Sequence, residues 1–218
     1  MTTRLIIARH GNTFTKEQTP TRVGANTDLP LVENERGNAI GRYLLKLGIN
    51  IDAVYCGPLK RHIQTAELAC EALEFDTSAI QVKHNFNEID YGPDEDKTEE
   101  QVMLRLGNGD LKAGELIIEK WNREAIAPPG WQVDVEALKQ SWLDFSQSIA
   151  TEHPNQNVLL VSSNGTIRFA PVITGDFEGF IAEHDIKVTT GGICIFEKED
   201  DEANWRCVEW GVKPLKHI

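Results

Sequence analysis

The run Arg9-His10-Gly11-Asn12-Thr13 follows directly on the short apolar stretch Leu5–Ala8. A histidine held at the end of a buried strand, beside an arginine and a glycine, suits nucleophilic attack on phosphorus. Neutral imidazole is a nucleophile, a guanidinium grips phosphoryl oxygens through a bidentate fork, and glycine lets the backbone approach. An isolated Arg-His pair is more often a satisfied histidine at a core edge with its arginine paired to a carboxylate. The other chemistry-bearing segments therefore decide. They are Gly57 to Glu67, which contains Lys60-Arg61-His62; the acidic stretch with Glu88, Asp90, Asp94, Glu95 and Asp96; and Ser162-Ser163-Asn164-Gly165.

The elements that must position these residues are readable from periodicity. Leu5–Ala8, Ile51–Tyr55, Ile80–Lys83 and Val158–Val161 are short apolar runs that predict strands, each stopped by turn residues or a change to polar sequence. Leu31–Leu47 carries helical spacing and ends at Gly48, and Lys60–Leu73 has helix-forming composition. Residues 98–150 read as mainly helical, interrupted by Ala127-Pro128-Pro129-Gly130, with Trp142 and Phe145 as core positions. Ile193–Glu197 and Trp205–Trp210 predict a terminal hairpin. Strand–helix alternation implies an α/β fold of three layers, a mostly parallel central sheet flanked by helices. Ligands in such folds collect at the carboxyl ends of the strands, so the turns at Arg9-His10-Gly11 and Ser163-Asn164-Gly165 face a common crevice.

Composition narrows the function classes. With 218 residues, 40% hydrophobic and 26% charged, the chain is long enough to bury roughly 70% of its unfolded surface in one domain. A net charge of −12 argues against general binding of nucleic acid or anionic lipid, while leaving room for a local cationic pocket. Cys56, Cys70, Cys194 and Cys207 are widely spaced, with no C-x-x-C pair, which fits a reducing compartment. No signal-peptide pattern or membrane-length apolar run is seen, so a cytoplasmic location is expected. Neither a metal-ligand spacing nor a nucleotide-binding glycine pattern occurs, and no cofactor is implied.

Taken with Thr21–Leu31, Gly57-Pro58-Leu59-Lys60-Arg61-His62-Ile63-Gln64-Thr65-Ala66-Glu67 and Asn87-Glu88-Ile89-Asp90-Tyr91-Gly92, the first motif resembles the histidine phosphatase superfamily. That group includes cofactor-dependent phosphoglycerate mutases and small phosphomonoesterases, and the likeness runs from Leu5 to about Arg168. It implies a phosphoglycerate mutase-like fold, with a helical substrate-capping insertion at about residues 96–135. It makes His10 the phosphoryl acceptor, Arg9 and Arg61 the guanidiniums on the phosphoryl oxygens, and Glu88 the acid, with Glu95 as the alternative carboxyl. Asn12 and Asn164 add neutral donors. Pro128-Pro129-Gly130-Trp131 resembles the family's Pro-Gly-Gly-Glu segment, although an exposed proline-rich turn is the simpler reading.

Two departures bear on mechanism. The family's Ser-His-Gly-Gly type motif supplies a second histidine to the phosphoryl group, and Ser163 stands in its place here. A hydroxyl is shorter and uncharged, and losing one well-placed donor typically costs about 10²–10³ in rate. No other histidine is an evident substitute. His62 adjoins Arg61, and neighbouring helical side chains diverge by roughly 100 degrees. His184 would need a long-range contact, and His84, His153 and His217 read as surface histidines. Lys16 lies where the family often carries a phosphate-contacting asparagine; a point charge near His10 and a solvated lysine beside Glu17 both remain open. The expectation is a phosphomonoesterase acting on a small phosphorylated substrate through His10. A mutase and a non-catalytic phosphoester-binding protein are the alternatives.

Overall fold

The computed structural model describes residues 1–218. Its framework is a six-stranded sheet in the order β3-β2-β4-β1-β5-β6. The parallel part consists of β1 (Thr2–Arg9), β2 (Ala53–Cys56), β3 (Gln81–Val82) and β4 (Asn157–Ser162). The antiparallel strands β5 (Ile193–Glu199) and β6 (Arg206–Val212) extend it on the other side of β1. All the strand expectations are met, and the hairpin is real.

β1 is buried on both faces, which is why it reads as an unbroken apolar run rather than an alternation. Leu5 and Ile7 point into a core containing Phe86, Trp121, Trp142 and Phe145. Ile6 and Ala8 point the other way, into a second core formed with α1 (Glu35–Lys46) and α2 (Lys60–Leu73). Helix α1 begins four residues later than its spacing suggests. The Glu33 side chain instead accepts from the Asn12 and Arg36 amides, so the preceding turn serves the loop after β1.

Between β3 and β4 lie α3 (Glu99–Leu106), α4 (Leu111–Glu124) and α5 (Val135–Glu152). Each has a side-chain start signal: a reciprocal Thr98–Gln101 capping box, Asp110, and Asp134. The segment preceding α5 departs from the expectation of an exposed turn. Trp131 is buried, packs edge-on against Tyr91 and Trp121, and donates its indole N–H to Asp94 at 2.7 Å. Arg105 of α3 also holds the fully buried Asp94 and reaches the Pro129 carbonyl. A large aromatic with a satisfied N–H prefers this burial, so the prolines mark only the turn itself. Beyond β4 follow α6 (Asn164–Ile167) and α7 (Phe177–Glu183).

Candidate functional site

The carboxyl ends of the central parallel strands meet at one place. Arg9 pairs with Ser162 in the β1–β4 register, and the His10 amide donates to the Ser162 carbonyl at 3.1 Å. His10 and Ser163 therefore start side by side. A cavity of about 610 Å³ opens above them, lined by Arg9, His10, Asn12, Lys16, Glu88 and Asn164, among others.

His10 is buried, and its Nδ1 lies 2.7 Å from the Gly11 carbonyl oxygen. A carbonyl only accepts, so Nδ1 carries a proton, and in the neutral ring Nε2 keeps its lone pair. Burial, with Arg9, Arg61 and His62 adding to it, holds the His10 pKa well below the ordinary histidine value. The imidazole is thus neutral over the physiological range. The amide of Gly11 is engaged by Thr65 Oγ1 at 3.0 Å, so its contribution is to seat the turn on α2.

Arg9 lines the cavity and is anchored by one terminal nitrogen on the Val188 carbonyl at 2.7 Å. Arg61 is fully buried beneath it. Its terminal nitrogens donate to the carbonyls of Thr27, Val23 and Gly24, binding α2 to the loop that precedes α1. The Nε groups of both arginines have no partner within the protein, a feature that buried donors rarely show.

The two candidate carboxyls separate cleanly. Glu88 is buried in the cavity wall and accepts from the Ile89 amide at 2.8 Å and the Gly165 amide at 3.4 Å. Burial raises its pKa, and those amides together with Arg61 and Arg9 restrain the rise. Glu95 points elsewhere. It accepts from the amides of Gly24 and Asn26, the Thr27 hydroxyl and the Tyr91 amide. It is a clamp on the loop that carries the Arg61 acceptors.

The remaining candidates are placed unequally. Asn12 lines the cavity, but its Oδ1 already accepts from Thr190 at 2.6 Å. Asn164 lines it with Oδ1 bound to the Val188 amide. Lys16 lies at the exposed rim. Ser163 is fully buried below the floor, where its hydroxyl lies 2.6 Å from His62 Nε2. His62, set aside on helical geometry, is fully buried, with its ring 5.8 Å from that of His10. His184, by contrast, stacks on Phe180.

Sequence reasoning also passed over Arg22, Arg168 and Lys187, all of which line the cavity. Arg168 is buried, stacks on Trp121 at 3.9 Å, donates to the Trp121 carbonyl, and has its pKa pushed down by burial to about 10. Arg22 lies over the Tyr91 and Trp131 rings and pairs with Glu99. Each stands alone in its stretch of sequence, so no local pattern pointed to them. No group of three or more His, Cys, Asp or Glu side chains converges anywhere in the chain, and no helix is long and apolar enough to cross a membrane.

The family model of the histidine phosphatase superfamily (branch 1) matches residues 5–213. The chain is 25% identical over 126 residues to a phosphoglycerate mutase of Candida albicans, covering 58% of this chain. It spans about half the length of that curated relative, 48%. Among solved structures it is similar to a phosphoserine phosphatase mutant from Entamoeba histolytica in complex with phosphoserine, at 18% identity and a TM-score of 0.71, covering 97% and 98% of the two chains. It is also similar to a mycobacterial hydrolase (19%, TM-score 0.76, 98% and 100%). A mycobacterial glucosyl-3-phosphoglycerate phosphatase gives 18% identity and a TM-score of 0.72, over 97% and 100%. At these identities the structural likenesses show the shared fold.

Proposed function

Because the chain belongs to the histidine phosphatase superfamily (branch 1), we propose that it hydrolyses small phosphomonoesters through a phosphohistidine on His10. The observation that carries this reading is the His10 Nδ1 contact with the Gly11 carbonyl, which in the neutral ring favoured by burial leaves the Nε2 lone pair for attack.

His10 Nε2 attacks phosphorus in line, and the N–P bond forms as the ester P–O bond breaks. The Arg9 guanidinium grips the equatorial oxygens, and the buried Arg61 adds positive charge from below. Glu88, kept protonated more readily than an ordinary carboxyl, gives its proton to the leaving oxygen. Water then attacks the phosphohistidine, Glu88 takes a proton from it, and the N–P bond breaks to release phosphate. Asn12 and Asn164 donate to the phosphoryl oxygens through their amide nitrogens, and Lys16 adds a mobile charge at the rim.

Substrate choice rests on the outer wall. Arg22, Arg168 and Lys187 make it cationic against Glu99. This favours a phosphomonoester whose remainder carries a carboxylate or a second phosphate. Residues 96–135 act as the capping insertion, since Glu99, Trp121 and Asn122 reach the cavity. Four free thiols, three of them buried, fit a cytoplasmic setting.

The test is phosphate release from a panel of phosphomonoesters beside His10→Ala, with an alkaline quench to trap phosphohistidine. His10-dependent release and a trapped phosphoenzyme are expected; equal rates in both proteins would overturn the reading. The similarity to a phosphoglycerate mutase favours one alternative, phosphoryl return to a second hydroxyl. Isomerisation of phosphoglycerate without net phosphate release would decide for it.

A further inference from the structure

Below the floor of the cavity, three residues from three separate segments fit one another. The Ser163 hydroxyl meets His62 Nε2 at 2.6 Å. The other nitrogen of that ring, Nδ1, is buried without a partner and faces Gly57. A Cβ built on Gly57 would collide with His62 Nδ1 and with the Phe86 carbonyl oxygen. The turn after β2 therefore leaves room for an imidazole that any other residue at 57 would displace.

The orphan nitrogen fixes the tautomer. A proton on Nδ1 would be a buried donor with no acceptor, so the proton resides on Nε2, the nitrogen that has a partner. Nε2–H then donates to Ser163 Oγ. A hydroxyl has one proton to give, and a donor already filling one lone pair leaves that proton free to point elsewhere. Ser163 begins beside His10 at the β4–β1 rung, and the two imidazole rings are 5.8 Å apart. The hydroxyl proton is therefore left uncommitted, one residue beyond the rung that joins β4 to β1.

Resting on the phosphohistidine reading, we propose that His62 and Ser163 work as one unit in place of a second histidine on the β4 turn. His62 is a positioning residue that aims the Ser163 O–H at a phosphoryl oxygen on or beside His10. The shorter serine is thus backed by a ring supplied from α2, and Gly57 is the opening that admits it.

The experiment compares wild type, His10→Ala, Ser163→Ala, His62→Leu, His62→Gln and the double variant His62→Leu/Ser163→Ala, with p-nitrophenyl phosphate as substrate. Ser163→Ala and His62→Leu are each expected to lower kcat by about 10²-fold with KM changed only a few-fold. The double variant should fall no further than either single change, because the two residues act as a unit. His62→Gln keeps an N–H near the Nε2 position and should recover most of the loss, which a merely space-filling role would not predict. Imidazole nitrogen NMR of wild type should show His62 protonated at Nε2.

Additive losses in the double variant, unchanged turnover in His62→Leu, or an Nδ1–H tautomer would each overturn the pair. An absence of His10-dependent release in wild type overturns the hydrolase reading instead. The pair is then judged by calorimetric binding of inorganic phosphate. At least tenfold weaker binding in Ser163→Ala and His62→Leu supports it, and equal affinity overturns it.

Discussion

Below His10 Nε2, the site is built from strand ends and backbone contacts; above it, from side chains that loops and helices present. His10 is fixed by the β1–β4 rung and by its own neighbour's carbonyl, and Arg61 and Ser163 are fully buried. Lys16 and Lys187 are exposed, and Arg22 is held by ring faces and one carboxylate. The lower half takes its geometry from the sheet. The upper half can change its charge while leaving the sheet intact. On the proposed phosphohistidine reading, chemistry is set by topology and substrate choice by composition, and the contrast can be tested from either side.

The largest effect should come from the lower half. His10→Ala is expected to lower phosphate release by ~10⁴-fold or more while its Tm stays close to that of wild type, read by thermal unfolding beside the kinetic assay. Glu88→Gln should follow, with a loss of about 10²–10³ on alkyl phosphates. The loss should shrink on p-nitrophenyl phosphate, whose leaving group needs no proton. The sign of the pH dependence follows from the two shifts. His10 must be neutral, and its lowered pKa moves the acid limb of kcat/KM well below the ordinary histidine range. Glu88 must be protonated, and its raised pKa moves the alkaline limb above the ordinary carboxylate range. Only the alkaline limb should vanish in Glu88→Gln.

In the upper half, Arg168→Lys should raise KM by about tenfold for substrates carrying a second anion and little for p-nitrophenyl phosphate. An equal rise for both would place Arg168 with the lower half. Glu95→Gln should act on stability rather than chemistry. Loss of its charged acceptor to the Gly24, Asn26 and Tyr91 amides is expected to cost about 2 kcal/mol, ~4–8 °C in Tm, with an unchanged pH profile. A displaced alkaline limb would instead make it the working acid. Lys16→Ala is the smallest, under about threefold and fading with added salt, since an exposed charge is screened.

How much of this was legible in the chain follows the same division. β1 and β4 are apolar on both faces because both faces are buried, and such runs declare themselves. Arg9 and His10 sit at the end of the first, so their place follows from it. The Glu88–Glu95 ambiguity was not soluble from sequence, because both lie in one acidic stretch and only the turn around Tyr91 sends one inward and the other onto the loop. His62 was set aside because adjacent helical side chains diverge. They do diverge, Arg61 to the Val23–Thr27 carbonyls and His62 to Ser163, yet His10 lies within reach of both. The clue was Gly57, whose missing side chain has meaning only once the fold brings it against residue 62. Trp131 was misread for a related reason: its partner Asp94 lies far away in sequence and looks like one more solvated acid.

The strand that carries His10 has hydrogen-bonded neighbours on both sides, β4 and β5, and no free edge. In an amide hydrogen-exchange experiment, the β1 backbone should give up its protons only through global unfolding. The short α3 helix and its exposed flanks should open at far lower free energy. Under mild denaturant or heat, fluctuations of the upper wall would thus loosen selectivity first. His10 would stay in register until the whole chain cooperatively unfolds.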